Sequence, residues 1–574
     1  MAEPLEKKTG LTGKVSKLRI GTKRRLSDEA LDERPAKVQA KEGGPRTATM
    51  PTDPEARPEL TIHPFQSLDG LLIKIAPPKE PAQLKTAHVP CDIVLVLDVS
   101  RSVGFLAPAM ETDEEGNGRH ENTDCTVLDI VKHAALTILH TLDENDRLGL
   151  VTFSAKARVV HQLLPMTKEN KIQTNRIIRG LRTEAGINLW AGLQRGLQLF
   201  HGNSDSGKVP ALMLLTDCEP NKGTPREGYA KALRARGSLP TSIYTFGFGE
   251  GIRSGLLSAI ADVGTGYYGF IPNSSVLCTV MVNAVVHLQS TFATKCCLDL
   301  EVVQGVRLEI STGQSLAMTR RKHGNGVTLS IPLGNIQYGQ SRDICLSFHK
   351  PGASKDSVIH ARLTYSNGAG VRSIVTTQVP TARVYTLLDN GMAYHRKRDL
   401  VCRLIVCLLP RDSEGYFSDL SKMDRDKRIS LYETFVKATT TKSLQDRYNQ
   451  SLNEDIEGRI RLAVYADSRE WNIWCRHYLP GFWAAHAKQL RTTSLDSGVQ
   501  PYDAENPLFL KCQARLTSAF KYEVVPPQPS RAAEADPEYV SGSKTLSMQS
   551  YSGETLRRSS NPWSSIRKPR FPPY

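Results

Sequence analysis

A run of seven mostly apolar residues, 91–97, is followed at once by one carboxylate and two hydroxyls, Asp98, Ser100 and Ser102. Such a run is typical of a strand buried on both faces of a sheet, and alternate side chains of a strand point the same way. A second apolar run ends in the carboxylate of Asp217. Because parallel strands end at the same sheet edge, where open α/β folds bind ligands, these four side chains are predicted to converge there.

The order of strand and helix patterns predicts the fold class. Apolar strands alternate with amphipathic helices from residue 91 to about 292, which predicts an α/β unit with a doubly wound, mostly parallel sheet. Short strands with alternating apolar and polar residues follow and predict an antiparallel β-sandwich, after which helical patterns return. The predicted segments are a disordered basic segment (1–57), strands that join the β-sandwich (58–90), the α/β unit (91–292), the sandwich (293–382), a helical region (383–525) and a disordered tail (526–574).

The net charge of +15 raises the question of nucleic-acid binding. Much of the excess lies in the two end segments, which are poor in apolar residues and are better explained as solvated tails than as a folded binding face. Nucleic-acid binding through these tails is therefore an unfavoured alternative. The run Thr-Lys-Arg-Arg at 22–25 resembles a nuclear import signal.

The 11 cysteines are odd in number and scattered, without paired C-x-x-C ligands, so neither a disulfide framework nor a zinc site of that type is expected. No apolar run is long enough to cross a bilayer, and the amino terminus lacks the apolar core of a secretory signal. The sequence therefore predicts an intracellular protein, cytoplasmic or also nuclear, without a transmembrane segment.

The four converging side chains are hard oxygen donors. Carboxylate and hydroxyl oxygens suit Mg²⁺ or another hard divalent ion such as Mn²⁺. Asp98, Ser100, Ser102 and Asp217 are therefore candidate metal ligands at the carboxyl edge of the sheet. The alternative is that they only hydrogen-bond the backbone of a loop that binds no ion.

The segments Asp-Val-Ser-Arg-Ser (98–102) and Leu-Leu-Thr-Asp (214–217) resemble strand ends of a von Willebrand factor A (VWA) domain. Further segments resemble intracellular eukaryotic proteins that combine a VWA domain with a following β domain, called Vint. These segments lie at 127–135, 143–149, 188–194, 244–249, 254–257, 270–272, 289–294, 475–480 and 524–530. The resemblance covers roughly residues 59–530. It implies a metal-ion-dependent adhesion site at which a partner's carboxylate completes the coordination of the ion.

Three residues depart from the family pattern at this site. Ile187 stands where the family has a threonine ligand, Arg101 separates the two serines in place of a small residue, and Cys218 follows Asp217 in place of a glycine. An alkyl side chain cannot donate to Mg²⁺, and a nearby cation lowers the affinity for another cation. Water can replace one missing oxygen, and the amide oxygen of Asn188 is a further possible substitute.

Other candidate sites are explained more simply by packing. His133 and His140 share a helix without a third metal ligand, and Trp471, Trp474 and Trp483 are predicted core anchors. No nucleophile elbow, Cys/His dyad or useful carboxylate pair appears.

The sequence thus predicts a non-catalytic interaction protein that binds an acidic residue of a protein partner, with a role in ubiquitin-related or multiprotein assemblies implied by family architecture. Relatives carry a RING, U-box or Hint module, and no pattern for one appears in this sequence. A ligase-related or self-processing protein whose catalytic module is lost or supplied in trans is the alternative.

Overall fold

The computed structural model describes residues 48–527 apart from several gaps. The gaps are residues 52, 54, 66–69, 83, 85, 113–117, 202–205, 304–307, 311–318, 324–325, 349–358, 369, 379–388, 410, 413–415, 420–422, 440–446, 493–501 and 503–505. The two segments predicted to be disordered are 1–57 and 526–574, and of these, residues 1–47 and 528–574 lie outside the described residues. Within the predicted segment 1–57, Met50 is buried and its backbone N–H donates to the carbonyl of Gly207.

Seventeen strands are described. They are β1 (Glu59–Pro64), β2 (Gly70–Ala76), β3 (Cys91–Asp98), β4 (Leu106–Thr112), β5 (Gly118–Thr126), β6 (Arg147–Phe153), β7 (Ala157–Pro165), β8 (Val209–Thr216), β9 (Ser242–Phe248), β10 (Thr265–Ile271), β11 (Thr291–Val303), β12 (Leu308–Ile310), β13 (Thr319–His323), β14 (Gly326–Gln337), β15 (Arg342–Phe348), β16 (Ile359–Asn367) and β17 (Gly370–Gln378).

Thirteen α-helices are described. They are α1 (Val127–Thr141), α2 (Lys168–Gly180), α3 (Leu189–Gln198), α4 (Tyr229–Arg234), α5 (Ser254–Val263), α6 (Ser274–Gln289), α7 (Asp389–Leu408), α8 (Arg425–Thr439), α9 (Arg447–Asp455), α10 (Arg461–Tyr465), α11 (Ser468–Glu470), α12 (Arg476–Lys488) and α13 (Pro507–Ser518). No helix of the described part of the chain is long and apolar enough to cross a membrane.

The α/β unit is built on a six-stranded sheet of order β10-β9-β8-β3-β6-β7. All neighbours are parallel except β6 and β7, which confirms the predicted mostly parallel sheet. Every residue of β3 is buried, as its apolar run requires. Helix α3 lies close against β3 and β8 because Gly196 has no side chain: a Cβ there would be 2.7 Å from Val96 Cγ2.

One part of the α/β unit differs from the prediction. The acidic, glycine-containing segment 110–122 has the composition of a loop, but its described residues belong to β4 and β5, which form a two-stranded antiparallel ribbon before α1. Backbone hydrogen bonds between two strands do not require apolar side chains. The sequence of β4 and β5 therefore has no apolar pattern from which the strands could be predicted.

The β-sandwich consists of two antiparallel sheets, of order β1-β2-β15-β12 and β13-β14-β11-β16-β17. Strands β1 and β2 precede the α/β unit in the sequence, yet β2 pairs with β15, which follows that unit. Strand β1 also contacts β16 and β17 of the other sheet. The chain therefore leaves the sandwich, forms the α/β unit and returns. The numerical boundaries of the six predicted segments remain predictions.

The helical region packs on the α/β unit. Helix α12 contacts α5 and β10, and α13 contacts α6 and α1. Trp471 and Trp483 are buried, and Trp474 stacks on Tyr478 with ring centroids 5.0 Å apart. These contacts attach the helical region to β10, α1, α5 and α6 of the α/β unit.

Candidate functional site

Strands β3 and β8 are neighbours in the sheet, so the residues that follow them meet at one edge. Leu97 is in register with Leu215, which puts Asp98 beside the end of β8. The side chains of Asp98, Asp217 and Cys218 each have a potential ligand atom, and these atoms lie within 4.8 Å of one another. Together with Ser100 and Ser102 they form what we call the strand-end cluster.

The two serines link the carboxylates of the cluster. Ser102 Oγ donates to Asp217 Oδ1 over 2.8 Å, and Ser100 Oγ lies 3.0 Å from Ser102 Oγ. The four oxygen-bearing residues predicted to converge therefore do lie together. That these residues coordinate a metal ion stays a prediction.

Asp98 is the most enclosed member of the cluster, with no exposed side-chain surface. Its Oδ1 accepts from the backbone N–H of Ser100 over 2.8 Å, and its Oδ2 accepts from Thr216 Oγ1 over 2.5 Å. Burial, with a smaller effect of the charge of Asp217, raises the pKa of Asp98 to about 6. A buried carboxylate of this kind gains from a bound cation more than an exposed one would.

Cys218 is part of the cluster, although the sequence identified it only as a departure from the family pattern. Its Sγ lies 3.1 Å from Ser102 Oγ, 3.6 Å from Ser100 Oγ and 3.8 Å from Asp98 Oδ2. Burial raises the pKa of the Cys218 thiol, and the charges of Asp217 and Asp98 raise it further. Burial also raises the pKa of Asp217.

Ile187 and Asn188 supply no side-chain oxygen to the cluster. Ile187 packs its alkyl chain against the hydrophobic core, and its carbonyl accepts from the backbone N–H groups of Asn221 and Lys222. The Oδ1 of Asn188 accepts from Ala191 N over 3.0 Å as the N-cap of α3. The amide oxygen of Asn188 thus caps the helix in this structure, and its service as a substitute ligand stays a prediction.

Glu184 is a polar residue of the same edge that the sequence did not single out. It forms an isolated parallel bridge with Ser100, and its side chain accepts from Ser154 Oγ over 2.8 Å and pairs with Arg158. Arg101 is exposed. His133 and His140, which the sequence explains by packing and not as a metal pair, contact other side chains: the ring of His133 packs against Phe520, and His140 pairs with Glu523.

A second group of possible ligands lies elsewhere, near the start of β3. His88, Asp143 and Asp146 have potential ligand atoms within 4.8 Å of one another. The sequence gave no signal for it, since His88 lies in a connector more than fifty residues from the two carboxylates.

Comparison with known proteins connects the strand-end cluster to a domain family. Residues 92–280 match the profile described as "von Willebrand factor type A domain". The chain contains a VWA domain. Residues 446–518, in the helical region, match a second profile described as "VWA / Hh protein intein-like". The VWA match includes every residue of the strand-end cluster.

Individual relatives are distant. An uncharacterized protein of Synechocystis is 26% identical over 227 residues, which are 39% of this chain and 53% of that protein. The chain thus spans about half the length of this curated relative. Among solved structures, von Willebrand factor type A from Catenulispora acidiphila is 13% identical, with 72% of this chain and 91% of that chain covered and a TM-score of 0.48. The ArnB paralog VWA2 from Sulfolobus acidocaldarius is 12% identical, with 74% and 96% covered and a TM-score of 0.42.

VWA domains often bind a divalent metal ion, so the fit of the cluster to one was assessed from its donors. Asp98, Asp217 and the two serines supply hard oxygens suited to Mg²⁺. The Cys218 thiol lies among these oxygens and is a soft donor, which Mg²⁺ disfavours. The oxygens therefore fit the expected ion, and the sulfur does not.

The buried Asp98 predicts a pH dependence of stability in the metal-free protein. Its pKa is raised from 3.8 to about 6, so between these values the folded state binds the proton more tightly than the unfolded state. The free energy of unfolding is therefore expected to fall as pH rises through this window, by at most about 3 kcal/mol. Urea unfolding with a chelator, compared between the wild type and Asp98→Asn, measures this. Equal slopes for the two proteins would contradict it.

Proposed function

We propose that this chain is a non-catalytic protein–protein interaction protein whose VWA domain binds an acidic residue of a partner through a divalent ion at the strand-end cluster. The observation that carries the proposal is the convergence of Asp98, Ser100, Ser102 and Asp217 at one sheet edge. An ion held by two carboxylates retains affinity for a third. Arg101 and Lys222, both exposed on loops of this edge, would favour an acidic partner electrostatically.

The sandwich and the helical region act in this proposal as a rigid support. They contact the VWA unit through β10, α1, α5 and α6. A site on rigid elements keeps its donors in position without an ordering cost on binding. We further propose an intracellular setting, supported by 11 free cysteines that a reducing compartment would maintain.

The proposal is tested by metal titration and partner capture. Isothermal titration with Mg²⁺ and with Mn²⁺ is expected to give heat with the wild type and none with Asp98→Ala. Affinity purification from cell extract uses the wild type and Asp98→Ala as baits, each in Mg²⁺ and in chelator. A partner protein is expected to be retained only by the wild type and only in Mg²⁺. Equal heats for the two proteins would show that the cluster binds no ion.

A self-processing role is the second candidate, because the helical region matches an intein-like profile. Burial raises the pKa of the thiols of Cys475 and Cys512, the two cysteines of the matched residues, which makes both poor nucleophiles. This supports a binding role over self-processing. Incubation of the purified chain, with mass spectrometry to detect cleavage, and a parallel incubation with the ubiquitin cascade separate these possibilities.

Restoring an oxygen at position 187 is expected to strengthen Mg²⁺ binding. Ile187→Thr adds a hydroxyl where the family resemblance places a ligand, while Ile187→Val is a control of nearly the same shape as threonine without the oxygen. We expect an affinity gain of about tenfold for the threonine variant, equivalent to about 1.4 kcal/mol, and no gain for valine. Calorimetric titration measures both. A gain with valine would attribute the effect to packing.

A further inference from the structure

The sulfur of Cys218 lies inside the group of oxygens rather than beside it. It is within 3.1 Å of Ser102 Oγ, 3.6 Å of Ser100 Oγ and 3.8 Å of Asp98 Oδ2. An ion that contacts both carboxylates and the serines would therefore also contact the sulfur. The thiol either obstructs the ion or coordinates it.

The geometry of the donors distinguishes these two cases. Mg²⁺ requires near-octahedral oxygens at about 2.0–2.1 Å and has little affinity for sulfur. Zn²⁺ binds thiolate at about 2.3 Å and carboxylate oxygen at about 2.0 Å in a tetrahedron, which separates sulfur from oxygen by roughly 3.5 Å. The distance of 3.8 Å between Cys218 Sγ and Asp98 Oδ2 is close to that separation.

We propose that the strand-end cluster is a mixed thiolate–carboxylate site for a borderline divalent ion of the Zn²⁺ class. Cys218 Sγ and one oxygen each of Asp98 and Asp217 are the protein ligands, and water or the partner's carboxylate is the fourth. The inference rests on the proposed function and names the ion of the same site. On binding, the Cys218 thiol releases its proton to solvent as the metal–sulfur bond forms, without any redox change.

Two other residues of this edge are consistent with such a site. A four-coordinate ion needs no further oxygen, so the alkyl side chain of Ile187 removes no required ligand. Three anionic ligands would give a Zn²⁺ site a net charge of −1, and the exposed Arg101 lies on the same loop, between Ser100 and Ser102.

The test uses the full-length chain and Co²⁺ as a spectroscopic substitute for Zn²⁺. The wild type is expected to bind one equivalent of Co²⁺ with a sulfur-to-cobalt charge-transfer band, and Zn²⁺ is expected to displace it. Cys218→Ser, which keeps the size of the side chain, is expected to lose the band. Its Zn²⁺ affinity is expected to fall at least as far as the roughly 10–100-fold drop caused by loss of an outer-shell partner.

The matched control is Cys407→Ser, which removes an exposed thiol of α7. This variant is expected to keep the band, and circular dichroism verifies that both variants fold. A band that is absent from the wild type, or that persists in Cys218→Ser, would overturn the inference. If the band fails but Mg²⁺ still binds in an Asp98-dependent manner, the proposed function stands with a different ion. If the band appears but no partner depends on metal, the ion assignment stands and the proposed function fails.

Discussion

Replacing Arg398 with leucine is expected to lower the free energy of unfolding by about 3–5 kcal/mol, because it removes a buried cation that joins three elements. Arg398 lies on α7 and is completely buried. Its Nη1 donates to the carbonyl of His486 on α12 over 2.6 Å, and its Nη2 donates to the carbonyl of Asp343 on β15 over 2.5 Å. Leucine would leave both carbonyls buried without these donors, which adds a desolvation penalty to the lost bonds.

A neighbouring arginine provides the control for this prediction. Arg403 lies on the same helix, pairs with Asp399 and is 44% exposed in its side chain. Its replacement by leucine is expected to cost less than that of Arg398, because the Arg403 side chain is partly exposed and its cation is screened by solvent. Urea unfolding followed by tryptophan fluorescence compares the two, since Trp471, Trp474 and Trp483 all lie in the helical region. Equal transition midpoints for both variants would show that Arg398 does not join the sandwich to that region.

Local sequence pattern was sufficient for the elements that form the site. The apolar run 91–97 predicted β3, which spans Cys91–Asp98, because such a run depends only on nearby residues. The convergence of Asp98 and Asp217 was also predictable, since parallel strands of an open sheet share a carboxyl edge. The donors of the cluster therefore followed from strand ends alone.

Contacts between distant parts of the chain were not predictable in the same way. The register of β2 on β15 joins residues more than 250 positions apart, and no periodicity encodes such a partner. The place of Cys218 among the oxygens depends on the turn after β8, and the capping by Asn188 depends on where α3 begins. The surroundings of the predicted donors were therefore the part of the site that the sequence pattern left open.

The second large expected effect concerns Asp146, which is completely buried near the start of β3. Its Oδ1 accepts from Cys91 N over 2.9 Å, and its Oδ2 accepts from Asp143 N over 2.9 Å and lies 2.8 Å from His88 Nε2. Asp146→Ala would leave two backbone donors and one buried imidazole without this acceptor. We expect a loss of about 3–5 kcal/mol in the free energy of unfolding, measured by urea titration.

Asp143→Ala is the matched control, because it removes a carboxylate from the same group while keeping the backbone N–H that Asp146 accepts. Asp143 Oδ1 accepts from Asn145 N over 2.8 Å in a partly exposed loop, so its loss is expected to cost about 1 kcal/mol. If His88, Asp143 and Asp146 bound a metal, added Zn²⁺ would stabilise the protein, and Asp143→Ala would abolish that stabilisation. In an Asp98→Ala background, which removes the strand-end cluster, Zn²⁺ and chelator are expected to give the same melting temperature. Both oxygens of Asp146 already accept hydrogen bonds, from Cys91 N at Oδ1 and from Asp143 N at Oδ2, and a cation would compete with those donors.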